Sequence, residues 1–128
     1  NTLASVGSAA VASGAGFVSS SQIGSDAREY AVNLSGIANA QRVTVTLSNV
    51  TDSLQHNSAS VPITLGFLLG DTNGNGSVTA SDIGQVKGQS GQPVTATNFR
   101  TDVTANGGSI TASDIGLVKS ASGTQLPP

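Results

Sequence analysis

The chain has 128 residues, of which 9% are charged and 3% aromatic, with a formal net charge of −2 and no cysteine. This length suits one ordinary domain or two small ones, and the missing cysteines exclude a disulfide framework and a thiolate metal site. The acidic balance leaves no basic stripe for nucleic acid, and no apolar run is long enough to span a membrane.

The first half of the chain predicts β-strands. Residues 29–35 alternate apolar and polar side chains, as do residues 41–48, whose inward set is Val43, Val45 and Leu47. Because only the short segment 36–40 separates them, we expect these two strands to form an antiparallel hairpin.

Three further strands and one loop complete the prediction for the first half. Residues 60–69 predict a strand that Pro62 places at a sheet edge, since proline cannot donate to the ladder. Weaker strands are expected at residues 1–6 and 9–18, and residues 52–59 predict a loop that contains the only histidine, His56.

Four or five strands are fewer than a closed β-sandwich uses. The fold prediction is therefore a mainly β domain over residues 1–68, an incomplete antiparallel β-sandwich, followed by a small α-helical module over residues 69–128. Two explanations of the strand shortage stay open. Either further strands precede this sequence in a longer chain, or another molecule completes the sheet.

Residues 71–82 have the spacing of a cation-binding loop. Gly76 lies at position six, where the loop turns sharply, and the Ser77 carbonyl lies at position seven. Oxygen-bearing side chains lie at positions one, three, five, nine and twelve: Asp71, Asn73, Asn75, Thr79 and Asp82. A hard cation needs six to eight oxygen ligands, so this pattern predicts a calcium site. The alternative is an Asn/Gly-rich turn before a helix.

A helix is predicted directly after the loop, over residues 81–87. Thr79 and Asp82 have the spacing of a capping box, so one carboxylate would serve both the ion and the helix start. The same unit recurs, because residues 77–87 are closely repeated at residues 109–119.

The second loop starts at Asp102 and is one residue longer, with an extra glycine at position 107 or 108. A second calcium ion is predicted with a weaker ligand set: Asp102, Thr104, Asn106, Thr111 and Asp114. The stretched register leaves the alternative of an empty second loop open.

Residues 69–128 resemble a type I dockerin on these two motifs. The resemblance implies two calcium-loop-plus-helix repeats related by a pseudo-twofold axis, and a cohesin partner contacted at positions ten and eleven of each loop: Ala80, Ser81, Ala112 and Ser113. The chain as a whole is similar to the carboxyl end of a bacterial secreted or cell-surface protein. The β-half would then be part of an immunoglobulin-like or cohesin-like domain, and any targeting segment would already have been removed.

Packing between the two repeats is also predicted. We expect an apolar core that neither repeat supplies alone, formed by Ile83, Val86, Phe99, Ile115 and Val118.

No catalytic arrangement is present, and an enzyme is not expected. The glycines near residue 75 lack the lysine of a phosphate loop, and a single loop histidine does not make a triad. The sequence instead predicts an extracellular, calcium-stabilised structural subunit that associates with copies of itself into a filament by strand complementation. The alternative is a dockerin-type adaptor that anchors a secreted protein to a cohesin-like partner.

Overall fold

The computed structural model describes residues 1–128 and divides them into two compact units, Asn1–Phe67 and Leu68–Pro128. The first unit is built from strands and the second contains two helices. The predicted order of a mainly β part followed by a helical part is therefore confirmed. None of the helices has the length and apolar character that a membrane crossing requires.

The first unit contains two antiparallel sheets. Its strands are β1 (Leu3–Ser5), β2 (Ser8–Ser13), β3 (Phe17–Ile23), β4 (Tyr30–Ser35), β5 (Gln41–Asp52) and β6 (Asn57–Phe67). Strand β5 pairs with β6, and it also pairs with β1 and β2, which gives a four-stranded sheet. Strands β3 and β4 form a separate two-stranded sheet.

The core of the first unit lies on one face of β5. Val43, Val45 and Leu47 are buried there, as their alternation predicts. Apolar residues of the two-stranded sheet pack against them, among them Tyr30, Val32 and Leu34 of β4. The inward faces of β4 and β5 are therefore as predicted.

The predicted hairpin between these strands is wrong. In the structure β4 pairs with β3, with Val32 opposite Ser21, while β5 pairs with β6, with Val45 opposite Ile63. Residues 36–40 carry the chain from one sheet to the other, and both Gly36 and Ala40 adopt positive φ. This arrangement lets the apolar faces of both strands enter one core, whereas a hairpin would place them side by side.

The amino-terminal segments also differ from prediction. Residues 9–18 are not one strand, because Gly14 and Gly16 adopt φ values of 91° and 128° and end β2 before β3 begins. The sequence does not predict most of strand β3, because the centre of this strand is a run of serines. The connection between β5 and β6 is shorter than predicted, and in it His56 Nδ1 lies 3.0 Å from Asp52 Oδ2.

The second unit is built on helices α1 (Ala80–Gly88) and α2 (Ala112–Ala121) and a 3₁₀ turn, Phe99–Thr101. Its fully or nearly buried apolar residues come from both repeats: Val78, Val86, Ile110, Val118 and Ala121. Ile83 and Ile115 pack against this cluster as predicted.

The predicted burial of Phe99 is wrong, since its side chain is 60% exposed. It lies at the start of the 3₁₀ turn, and the residue that turns inward there is Thr101, whose hydroxyl donates to the Asn98 carbonyl at 2.7 Å. Val94 and Val103 pack against the core from this part of the chain.

Each loop of the second unit pairs with the segment that follows the other helix. After α1, Gly91 N donates to Ile110 O at 2.8 Å, and Ile110 N donates to Gln92 O at 2.9 Å. After α2, the segment 123–126 makes the equivalent pair of bonds with Val78, both at 2.9 Å. We call this arrangement the crossed closure. It leaves neither repeat complete without the other.

Candidate calcium site

Backbone amides of the first loop converge on the Asp71 carboxylate. Its Oδ1 accepts hydrogen bonds from Gly74 N at 2.8 Å and Asn75 N at 3.1 Å, and its Oδ2 accepts one from Gly76 N at 2.8 Å. Gly76 needs its positive φ of 85° to bring this amide around. The loop is therefore wrapped around the first predicted ligand.

The two asparagines are fixed by turns of their own. Asn73 Oδ1 accepts from Asn75 N at 3.0 Å, and Asn75 Oδ1 accepts from Ser77 N at 2.9 Å. The Asn73 amide also donates to Ser81 Oγ at 2.8 Å, which ties position three of the loop to the first turn of α1. Side-chain turns of this kind are typical of asparagine.

Asp82 closes the loop from the helix side and is fully buried. Its Oδ1 accepts from Thr72 N at 3.0 Å and Asn73 N at 3.3 Å, and its Oδ2 accepts from Thr79 N at 2.8 Å. Burial raises the pKa of Asp82, but these hydrogen bonds outweigh it and hold the pKa below its ordinary value. The buried carboxylate is therefore ionised near neutral pH.

The predicted capping box is confirmed at Thr79 and Asp82. Thr79 Oγ1 donates to Asp82 Oδ2 at 3.1 Å, and Ser81 N donates to Thr79 Oγ1 at 3.3 Å. The Thr79 hydroxyl therefore already serves the helix start. In calcium loops position nine often contributes through a water, and Thr79 fits that indirect role.

The donor set of the first loop suits a hard cation. It combines two carboxylates with two amide oxygens and the Ser77 carbonyl, which are the oxygen types that calcium prefers. No group of three or more His, Cys, Asp or Glu side chains comes together to hold a metal. The negative charge at this site comes from Asp71 and Asp82 alone.

Two residues beside the loop were not singled out from the sequence. Thr72 is buried, and its hydroxyl contacts Asp82 Oδ1 at 3.3 Å and Gln85 Oε1 at 2.8 Å. The Arg100 guanidinium lies against Gly74, where a Cβ would come within 3.0 Å of Nη2. Loop spacing gives no signal for either, because Thr72 is an unassigned position two and Arg100 is distant in sequence.

The second loop repeats this frame from Asp102 to Asp114. Asp102 Oδ2 accepts from Gly107 N at 2.9 Å, and Asp114 Oδ2 accepts from Thr111 N at 2.8 Å. Thr104 N donates to Asp114 Oδ1 at 3.1 Å, as Asn73 N does to Asp82. Asp114 is fully buried; burial raises its pKa, but the hydrogen bonds from Thr111 and Thr104 prevail and lower it to about 2.

The extra residue of the second loop lies at the glycine pair. In the first loop Gly76 both donates to Asp71 and accepts from Leu126 N at 2.9 Å. In the second loop these roles are divided, since Gly107 N donates to Asp102 while Gly108 O accepts from Val94 N at 2.8 Å. One glycine of the first repeat thus corresponds to two in the second.

Comparison with known protein families identifies the second unit. Residues 69–121 match the model of the dockerin type I domain family. No curated protein and no solved structure matches the chain. The chain therefore contains a dockerin-type module over these residues, and the predicted resemblance is confirmed for this part. Type I dockerin domains bind calcium, so calcium is confirmed as the cofactor. Dockerin domains bind cohesins and are non-catalytic.

Proposed function

We propose that the second unit is a calcium-dependent adaptor that attaches a secreted or cell-surface protein to a cohesin-like partner. The calcium ion is held in the first loop by the side chains of Asp71, Asn73, Asn75 and Asp82 and the Ser77 carbonyl, with Thr79 contributing through water. The observation that carries the proposal is the pair of carboxylates, Asp71 and Asp82, which backbone N–H groups of the same loop orient from both ends.

Calorimetry tests this assignment. With only two carboxylates, the first loop of the full chain should bind calcium with a Kd of about 10⁻⁴ to 10⁻³ M. Asp71→Ala should abolish the binding heat, while Asp26→Ala, which removes an exposed aspartate of the first unit, should leave it unchanged. Equal heats from Asp71→Ala and the wild type would remove the first loop from the proposal.

The partner-binding residues proposed here are the small residues at the start of each helix. Ala80, Ser81, Ala112 and Ser113 are all exposed. Small side chains at these places leave the first turn of each helix open to close approach by another protein. Each of these first turns follows a loop of the crossed closure, so the two repeats offer equivalent binding positions to a partner.

An open cleft beside α1 supports a wider contact surface. It has a volume of about 420 Å³ and is lined in part by Gln85, Gln89, Phe99 and Arg100. Exposed aromatic and arginine side chains are enriched among the residues that dominate binding energy in protein interfaces. In the proposed adaptor, Phe99 and Arg100 therefore contact the partner next to the helix α1 site.

A binding experiment with a type I cohesin tests the adaptor function. We expect calcium-dependent binding to the wild type, and its loss in the double variant Ala80→Arg with Ala112→Arg, which should still bind calcium. Ala38→Arg places the same side chain at an exposed position between β4 and β5 of the first unit and serves as the matched control. No binding by wild type in saturating calcium would contradict a cohesin-type partner.

Self-association is the second candidate, and the edge of β6 favours it. This eleven-residue strand pairs only with β5, contains no charged residue, and leaves Ile63 and Leu65 each 42% exposed. Natural edge strands are normally protected by charges, prolines or bulges. Strand β6 has Pro62 near its centre but no charge, so the part that carries Ile63 and Leu65 is suited to strand addition. The amino-terminal segments are not free to be donated, because β1 and β2 already pair with β5.

Size measurement and electron microscopy of the purified protein test this second candidate. Filaments or oligomers that disappear in Ile63→Lys, but persist in Ser58→Lys near the start of the same strand, would support pairing through β6. A monomer at all accessible concentrations would exclude it.

A further inference from the structure

We propose that the second loop is a metal-free copy of the first, in which the Thr104 hydroxyl links the two carboxylates that an ion would otherwise bridge. The module then binds one calcium ion, in the first loop. This inference rests on the proposed calcium site and adds that the two repeats are held by different means.

The position of the Thr104 hydroxyl is the main observation. Its Oγ1 lies 2.8 Å from Asp114 Oδ1 and 3.3 Å from Asp102 Oδ1, so one hydroxyl contacts both carboxylates. A threonine hydroxyl has a single proton, which the two acceptors share. The hydroxyl therefore connects the beginning of the loop to its end, as a bound cation does in a calcium loop.

The first loop has no hydroxyl that contacts both carboxylates. Thr72 Oγ1 lies 3.3 Å from Asp82 Oδ1, but its other contact is Gln85 Oε1 and not Asp71. Asn73 occupies position three there, and its side chain is held by Asn75 N and Ser81 Oγ. No side-chain donor contacts both Asp71 and Asp82, so these two carboxylates are not joined as Asp102 and Asp114 are. At position three, Asn73 therefore offers an amide oxygen that can coordinate a cation. Thr104 instead has a hydroxyl that already donates to the two carboxylates.

Position five also differs between the loops. Asn75 Oδ1 is oriented by Ser77 N at 2.9 Å, whereas the exposed Asn106 side chain makes no hydrogen bond and only its backbone N contacts Asp102. The added glycine at 107–108 shifts the backbone carbonyl of position seven by one residue as well. Calcium requires six to eight oxygens in one shell, and positions three, five and seven are all altered here.

Native mass spectrometry and calorimetry of the full chain test the stoichiometry. We expect one calcium ion in the wild type, none in Asp71→Ala, and one in Asp102→Ala with an unchanged Kd. Two ions in the wild type, or a Kd raised by about tenfold or more in Asp102→Ala, would overturn the inference while leaving the adaptor function intact. Failure of the wild type to bind any calcium would instead contradict the proposed first site.

Restoring the ligand pattern provides the complementary test. The variant that combines Thr104→Asn with deletion of Gly108 gives the second loop the spacing of the first and should bind two ions. Each change made alone is the control and should leave one ion. If the combined variant folds, as judged by its circular dichroism, and still binds one ion, the proposed cause of the missing site is wrong.

Thr104→Val offers a readout that does not depend on the engineered loop. Valine keeps the shape of the side chain but removes the shared proton, so the Tm should fall by the same amount in EGTA and in saturating calcium. Thr97→Val, which changes an exposed hydroxyl in contact with Thr95, is the matched control. A Tm loss seen only with calcium present would identify Thr104 as a ligand and overturn the inference.

Discussion

The two units bury their interiors in different ways. In the first unit all three buried apolar residues, Val43, Val45 and Leu47, lie on β5. In the second unit the buried apolar residues come from both loops and both helices, and two aspartates are fully buried with them. The first unit therefore depends on one strand, and the second depends on a duplicated pattern in which polar groups are part of the interior.

This difference shows that fully hydrogen-bonded carboxylates can form part of the interior of a small module. A buried carboxylate is costly unless its oxygens are hydrogen-bonded. In this chain no buried side-chain nitrogen or oxygen lacks a partner. We therefore expect the second unit to be most sensitive to the loss of polar atoms, and the first to the loss of apolar ones.

The largest effect is expected from Asp114→Ala. The change leaves the part-buried Thr104 N and Thr111 N without their acceptor, and an unsatisfied donor that is fully buried costs about 1–3 kcal/mol. Because the Asp114 side chain is itself fully buried, its removal also leaves a cavity, and the free energy of unfolding of the second unit, measured by urea denaturation in EGTA, should fall by several kcal/mol. Asp26→Ala, at an exposed site, should stay within about 0.5 kcal/mol of wild type. A stable Asp114→Ala variant would show that the buried carboxylates do not hold this unit together.

Truncation of buried apolar side chains should have the next largest effect and lower the free energy of unfolding by about 2–5 kcal/mol each. Ile110→Ala removes a fully buried side chain between the repeats, and Leu47→Ala removes one that is 8% exposed on β5. We expect Ile110→Ala near the upper end of this range and Leu47→Ala near the lower end. Denaturant midpoints for the two variants provide the measurement, and the reverse order would mean that the core of the first unit is the more tightly packed.

Acid should destabilise the second unit through Asp114. Because its folded pKa is about 2 and the ordinary value is about 3.9, its contribution to stability is complete above about pH 4 and is lost as pH falls toward 2. Thermal melts in EGTA between pH 7 and pH 2 should show this fall. Asp114→Asn, which cannot titrate at this position, should flatten the profile over the same range; an unchanged slope would assign the acid sensitivity to other groups.

The smallest effect on stability is expected from Phe99→Ala. The side chain is 60% exposed, so its loss should change the free energy of unfolding by about 0.5 kcal/mol or less. In the adaptor proposal the same change weakens binding to the cohesin. A large drop in Tm would instead support the prediction from the sequence that the Phe99 side chain is buried.

Local signals in the sequence predicted much of the second unit. Loop spacing identified the residues that gather around Asp71 and Asp82, and the Thr79–Asp82 spacing identified the capping box. These features are encoded within a few residues of one another, so a pattern along the chain is sufficient to find them. The same is true of the alternation that places Val43 and Val45 inward.

The features that the sequence did not predict are those that depend on residues distant along the chain. Alternation assigns faces to β4 and β5 but does not say which strand each one pairs with, and the two joined different sheets. The exposure of Phe99 depends on a 3₁₀ turn that places Thr101 inward instead. The double contact of Thr104 depends on two aspartates that approach only after the loop has folded.

The crossed closure has a consequence for the order in which the module forms during synthesis. A chain is made from its amino end, so the first loop emerges before the segment 123–126 that pairs with it at Gly76 and Val78. The second loop has no such delay, because its partner segment, residues 91–94, precedes it. The repeat that is synthesised first is therefore completed last. On the ribosome, the backbone pairing of the first loop forms only after both helices have been made.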